Sequence, residues 1–202
     1  MTELIKYPVM EDFYTIQGEG YNTGRPAYFV RLGGCDVGCV WCDVKESWDA
    51  GKHILLSIDD ILKKVESGTG DNVVITGGEP AMYDLKPLTD SLHHKFYNCW
   101  IETSGAYPIS GDWEWICVSP KKFKSPLPES LYKANELKVI IFNKSDFDFA
   151  LENAKGVNPD CQLFLQPEHS KFNEMMPLIV DFVKANPLWR ISLQTHKFMQ
   201  IL

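Results

Sequence analysis

Short apolar runs of strand length recur along this chain, separated by stretches with helical periodicity or with turn residues. Runs at 9–16 (VMEDFYTI), 27–32 (AYFVRL), 73–76 (VVIT), 99–104 (CWIETS), 115–120 (WICVSP), 137–142 (LKVIIF), 161–166 (CQLFLQ) and 190–195 (RISLQT) read as strands. A glycine-rich segment, QGEGYNTGRP, joins the first two. Residues 57–68 read as a helix, with Ser57 as N-cap, Asp60 three positions on, and Gly68 as the stop. Further helices are expected over 85–96, starting near Pro87, and over 146–155 and 173–186, while 121–133 reads as a loop or a short irregular helix.

Strands that alternate with helices, most of them apolar on both faces, predict an α/β fold built on a mostly parallel sheet. A closed (β/α)8 barrel typically takes about 250 residues. This chain has 202 and short helical connections, so the expectation is an incomplete, open β/α barrel forming a single domain over 1–202. Sites in such folds lie at the carboxyl ends of the strands. The polar clusters TGGEP, ETSG, SPK, QPEH and QTHK all fall at those ends.

A composition of 45% apolar and 23% charged residues fits an ordinary globular core. The net charge of -7 argues against non-specific nucleic-acid binding, which needs a basic footprint. The longest unbroken apolar runs, such as Val139 to Phe142, fall far short of the roughly 20 residues that span a bilayer. The N-terminal MTELIKYPVMEDF lacks the apolar region of a signal peptide. A cytoplasmic location, with no membrane and no nucleic-acid partner, is expected.

The chemistry begins with six cysteines. Cys99, Cys117 and Cys161 sit inside apolar runs and read as buried small residues. The other three are packed as Cys35-x3-Cys39-x2-Cys42. A thioredoxin-like pair would leave Cys35 unexplained, and structural zinc wants a fourth ligand, for which His53 is the only nearby histidine. Three thiolates suit a [4Fe-4S] cluster with one iron left open. Cluster, zinc and fortuitous thiol group all remain open on spacing alone. Elsewhere, His93 and His94 read as a solvated helix face, the KKFK run beyond Lys121 as a surface loop, and QGEG by itself as a turn.

CDVGCVWC, with an aromatic before the last cysteine, resembles the cluster loop of the radical S-adenosylmethionine (SAM) superfamily, and TGGEP at 76–80 resembles its glycine-rich SAM motif. Glycyl-radical activating enzymes share both, and they stand as an alternative beside a non-catalytic metal-binding module. YTIQGEGYNTGRPAYFVRLGGC (14–35), ETSG (102–105), SPK (119–121), LQP (165–167) and QTHK (194–197) resemble, in the same order, the 7-carboxy-7-deazaguanine synthase family over nearly the whole chain. That resemblance implies a lyase of queuosine and 7-deazapurine biosynthesis. It converts 6-carboxy-5,6,7,8-tetrahydropterin to 7-carboxy-7-deazaguanine with loss of ammonia, after SAM bound to the open iron is cleaved to a hydrogen-abstracting radical. It implies a flavodoxin- or ferredoxin-type reductant and a homodimer.

Carried onto this chain, the family positions give cluster ligands Cys35, Cys39 and Cys42, and substrate contacts Ile16, Gln17, Gly18, Arg31, Thr76 and Leu202. SAM contacts are Trp41, Cys42, Asp43, Gly78, Ser119, Pro120, Lys121, Gln166, Pro167, Glu168 and His169. The residue chemistry fits. Gln17 offers a donor and an acceptor to a pterin edge, Glu19 accepts N–H groups, and Arg31 can grip a carboxylate as a fork. Glu102 joins Asp43 as an acceptor for SAM, and Glu19 and His196 are the acid–base candidates. The resemblance also implies Mg2+ held by a Thr or Ser hydroxyl two residues after the last cluster cysteine. Here that residue is Val44, which offers no ligand atom, so weak dependence on Mg2+ is expected, with the charge of Lys45 nearby.

Overall fold

A computed structural model describes residues 5–202; residues 1–4, the head of the stretch read for a signal peptide, lie outside the described residues. Nine strands form one sheet: β1 (Lys6–Ile16), β2 (Pro26–Leu32), β3 (Ile54–Ser57), β4 (Asn72–Gly77), β5 (Asn98–Thr103), β6 (Trp115–Val118), β7 (Glu136–Ile141), β8 (Gln162–Pro167) and β9 (Trp189–Ile191). Their order is β3-β1-β2-β4-β5-β6-β7-β8-β9. From β2 to β9 every neighbour is parallel, and β1 runs antiparallel to both β2 and β3. The sheet does not close on itself, so the architecture is the open barrel expected from the strand count and connection lengths.

Helices α1 (Ile58–Val65), α2 (Lys86–His94), α3 (Pro128–Lys133), α4 (Ser145–Ala154) and α5 (Phe172–Ala185) pack against the sheet, and a short α6 (Thr195–Met199) follows β9. The start of α1 is the predicted capping box. Ser57 Oγ accepts from the Asp60 N–H at 3.2 Å, and the Asp60 carboxyl accepts from the Ser57 N–H at 3.3 Å.

Alternation along the strands separates two faces. Outward-facing Leu32, Ile75, Ile101, Val118, Leu137 and Leu165 are buried with helix residues such as Ile61, Leu88, Met175 and Ile179. Inside, a second cluster joins Ala27, Phe29, Val74 and Trp100 to Phe13 and Trp115. Two residues further along the same inner faces come Arg31, Thr76 and Glu102, with Lys138 on β7 and Gln166 on β8. The strands are therefore apolar on both faces only through their lower halves, and the upper inner face is polar.

Three details differ from the sequence reading. Strand β3 lacks any alternation signal because it is an edge strand with Ile54 and Leu55 both exposed. Segment 121–133 divides into a loop, with an isolated bridge between Lys121 and Lys124, and the helix α3. The run 190–195 holds its ladder only to Ile191, after which Thr195 turns to donate its N–H and hydroxyl to Gly18 O, each at 2.9 Å, and opens α6. Cys99, Cys117 and Cys161 are buried, as their apolar surroundings indicate.

Candidate active site

A cavity of about 300 Å³ opens at the carboxyl ends of the parallel strands. Cys35, Cys39 and Cys42 all line it, and none is in a disulfide. Their loop leaves β2 and is anchored from outside: the Gly34 N–H donates to Ser47 O at 2.6 Å and the Cys35 N–H to Trp48 O at 3.1 Å. Asp36 in the loop is tied to the Lys124 ammonium at 2.8 Å and to the Tyr107 hydroxyl at 2.5 Å.

The geometry separates the open readings of these thiols. Among the described residues, the set that brings three His, Cys, Asp or Glu ligand atoms within 4.8 Å of one another is His93, Cys99 and Glu114, not the three cysteines. Three thiols with no fourth protein ligand beside them among the described residues suit a cube that leaves one iron open better than a four-coordinate structural ion. His53 gives no fourth ligand, since its ring bonds Glu46 O at 3.0 Å and is not part of the cavity wall.

The loop after β4, residues 76–80, packs directly on the cysteine loop. The Gly78 N–H donates to Leu32 O at 2.9 Å and the Glu79 N–H to Gly34 O at 2.8 Å. A Cβ on Gly78 would stand 2.3 Å from Gly34 O, so only glycine permits this approach. Glu79 is 1% exposed, and its carboxyl accepts from the N–H groups of Ala81 at 2.9 Å and Ser104 at 2.8 Å and from both the Thr103 and Ser104 hydroxyls. One buried carboxyl thereby locks the end of β4 to the end of β5.

Across the cavity, Lys138 reaches up from β7. Its ammonium lies 2.6 Å from Glu19 Oε2 and 3.7 Å from Glu102 Oε1. Gln194 donates to the other Glu19 oxygen at 2.9 Å, and Gln17 donates to Glu102 at 2.9 Å. Burial alone would raise the Glu19 pKa, but the Lys138 charge and hydrogen bonds from Lys138, Gln194 and Gln166 bring it down to about 2. Burial also works against the Lys138 ammonium, yet Glu102 and Glu19 push its pKa well above the usual lysine value. Burial lowers that of His196, with Glu19 opposing, so the imidazole is neutral at pH 7.

A model of the radical SAM superfamily matches residues 29–116, which covers the cysteine loop and the 76–80 loop. The chain is 57% identical to a 7-carboxy-7-deazaguanine synthase of Flavobacterium psychrophilum, across 96% of this chain and 92% of that one. It is 42% identical to that of Synechocystis sp., across 98% and 94%, and 36% identical to that of Escherichia coli K12, across 98% and 100%. A crystal structure of QueE from Escherichia coli superposes with a TM-score of 0.83 at 35% identity, covering 93% of each chain. The chain belongs to the 7-carboxy-7-deazaguanine synthase family.

As a 7-carboxy-7-deazaguanine synthase family member, the chain brings nearly all of its sequence-predicted residues to one cavity. Ile16, Gln17, Gly18, Glu19, Arg31, Thr76, His196 and Leu202 line it, as do Trp41, Asp43, Gly78, Glu102, Ser119, Lys121, Gln166, Pro167, Glu168 and His169. Pro120 is the exception: it is buried between two lining residues without reaching the wall. Arg31 has already committed its Nε–H to Glu11 Oε1 at 2.6 Å. Lys121 donates to Ser119 O and Oγ at 2.7 and 2.6 Å and lies 5.5 Å from the centre of the Trp41 ring. The Thr15 hydroxyl donates to the main-chain oxygen of Leu202 at 3.2 Å.

Sequence reading missed Lys138, Glu79 and Gln194. Lys138 did leave a signal, a lone charge inside the apolar run LKVIIF. Val44 lines the cavity and supplies no ligand atom for Mg2+, while the Ser47 hydroxyl donates to Val44 O at 2.7 Å. Nor does Lys45 substitute, for its ammonium lies over the Trp48 ring at 5.9 Å from the centre, and the residue is outside the cavity wall.

Proposed function

We infer that this chain is a radical SAM lyase that contracts 6-carboxy-5,6,7,8-tetrahydropterin to 7-carboxy-7-deazaguanine with loss of ammonia, as a step toward queuosine and related 7-deazapurines. The observation that carries the reading is the meeting of the cysteine loop, the 76–80 loop and the Gln17–Glu19–Glu102–Lys138 wall in one cavity, in a chain of this family. A volume of about 300 Å³ suits a small planar substrate beside a cofactor and argues against a peptide loop of a partner enzyme.

The thiol spacing and the glycine contact between the two loops fit the family's cofactors. Cys35, Cys39 and Cys42 would hold a [4Fe-4S] cluster, and Trp41, Asp43, Gly78, Ser119, Lys121 and the 166–169 segment would hold SAM. When bound, these groups supply the radical that abstracts hydrogen from substrate. The chain's own residues do the rest. The Gly78 carbonyl is left to accept from an amino group, since those of Glu79 and Pro80 already accept from the Met82 and Tyr83 N–H groups. Gln17 offers acceptor and donor to the pterin edge, and Glu102, expected from the sequence as a SAM acceptor, is assigned here to the pterin's N–H groups because it is tied to Gln17 at 2.9 Å. Arg31 offers its remaining guanidinium donors to the carboxylate, with Glu11 fixing the plane of the fork. His196, neutral at pH 7, can take or return a proton at a ring nitrogen. Glu19 is a poor proton carrier, since Lys138 and Gln194 occupy it and hold it ionised.

Cytoplasmic residence, a flavodoxin- or ferredoxin-type reductant and a homodimer belong to the same reading. Among the described residues, no helix is long and apolar enough to cross a membrane. The exposed Ile54 and Leu55 on edge strand β3 offer apolar surface to a second copy.

The test is anaerobic. Protein reconstituted with iron and sulfide receives SAM, dithionite and the carboxy-tetrahydropterin, and product is followed by mass with and without Mg2+. Product is expected, and turnover persists after EDTA treatment because residue 44 holds no metal. A brown protein that cleaves SAM yet forms no product sinks the substrate assignment. Collapse after EDTA with recovery only on added Mg2+ sinks the expectation of weak Mg2+ dependence.

A further inference from the structure

Lys138 stands where a structural residue would be apolar. Its strand neighbours on the outer face, Leu137 and Val139, are fully buried in the main core, while Lys138 points inward with its side chain 4% exposed. Burying an ammonium is costly unless it is paired. Here it meets carboxyls from separate parts of the chain: Glu19 from the β1–β2 connection, Glu102 from β5, and Glu136 two residues below on its own strand. Glu136 is occupied elsewhere, accepting from the Tyr21 N–H and the Trp115 indole N–H, both at 3.1 Å. Glu19 and Glu102 differ from it, because both line the cavity and keep side-chain exposures of 17% and 26%.

We propose that Lys138 is a positioning residue for substrate recognition, holding the Glu19 and Glu102 carboxyls in place as acceptors turned toward the N–H-bearing edge of the pterin ring. The proposal rests on the function inferred above. A purely structural ion pair would be sealed from the cavity, whereas Lys138 itself forms part of the cavity wall. The 2-amino and N3–H groups of the pterin edge are adjacent donors, which a carboxylate meets with two acceptor oxygens, whereas a protonated carboxyl spends one oxygen as a donor. Without the ammonium, burial would favour the protonated form of Glu19.

The test uses the reconstituted holoenzyme and three variants: Lys138→Met, Lys138→Arg, and Lys138→Met combined with Glu19→Gln. In Lys138→Met the KM for the pterin is expected to rise about ten- to a hundredfold. Cluster iron and substrate-free SAM cleavage stay at the wild-type level. The KM of this variant also falls as pH rises, because Glu19 must ionise without the Lys138 charge. Other titrating groups near the pair are Glu136, Cys117, Lys121 and His196. Burial lowers the pKa of Lys121 and His196 and raises that of Glu136, and these groups are common to wild type and variant, so the readout is the difference between the two pH profiles. Lys138→Arg recovers most of the KM, and Glu19→Gln adds little in the Lys138→Met background. An unchanged KM in a folded, cluster-loaded Lys138→Met overturns the proposal, as does a fall in kcat alone or a parallel loss of SAM cleavage. Should Lys138→Met fail to fold, Glu19→Gln decides: its pterin KM is expected to rise about tenfold with cluster iron and substrate-free SAM cleavage unchanged, and an unchanged KM overturns the idea. Wild type that makes no product at all sinks the functional reading instead, which keeps the two failures apart.

Discussion

At the residue scale, the buried carboxyls carry the most consequence. Glu19 has a folded pKa of about 2 against an ordinary 4.5, so its ionised form is favoured by folding. The stability it contributes is present above about pH 4.5 and is lost as the pH falls toward 2. Urea unfolding of wild type against Glu19→Gln should give a difference that is constant from neutrality down to about pH 5 and vanishes near pH 2. A difference that changes between pH 7 and 5 would place the pKa elsewhere. Glu79 makes a separate prediction. Its carboxyl serves four donors in a fully buried position. Glu79→Ala should therefore destabilise by about 3 kcal/mol or more, and Glu79→Gln by less, as read by urea midpoints. Lys138 was hard to read from sequence for a reason these examples share. Its partner Glu19 lies 119 positions away, and a pairing at that separation leaves no periodic trace in the chain.

At the element scale, legibility followed burial pattern. The parallel strands were readable because their lower halves are apolar on both faces, and α1 because its capping box is local in sequence. Strand β3 was not, since an edge strand with two consecutive exposed aliphatics has neither alternation nor a continuous core run. The motif loops were legible as chemistry, though not as contacts. That TGGEP and the cysteine loop touch through their backbones appears only in three dimensions. Gly78→Ala tests the contact. Its Cβ would meet backbone at Gly34 rather than a side chain that can swing away, so the two loops must separate. Reconstituted Gly78→Ala should hold less iron than wild type and bind SAM weakly while α1, α2 and α5 keep the far-ultraviolet circular dichroism near normal. Full iron content and normal SAM affinity would show that the loops tolerate the shift.

At the scale of the whole molecule, the sheet stays open and the gap is bridged by side chains rather than by a ladder. Gln194 reaches Glu19, Thr195 reaches Gly18, and Ser192 accepts from the Gly20 N–H at 2.9 Å while donating to Gln166 at 2.6 Å. These contacts join residues between 172 and 177 positions apart, apart from the 26 that separate Ser192 from Gln166. Loop closure over such separations is entropically costly and comes late in folding. During synthesis the ribosome releases the cysteine loop and the 76–80 loop long before residues 192–196. A nascent chain can thus present its thiols to an iron–sulfur assembly machine while the pterin side of the pocket has no far wall. Completion of the pterin side of the pocket therefore waits on the last-made segment, while the residues that would hold the cluster do not.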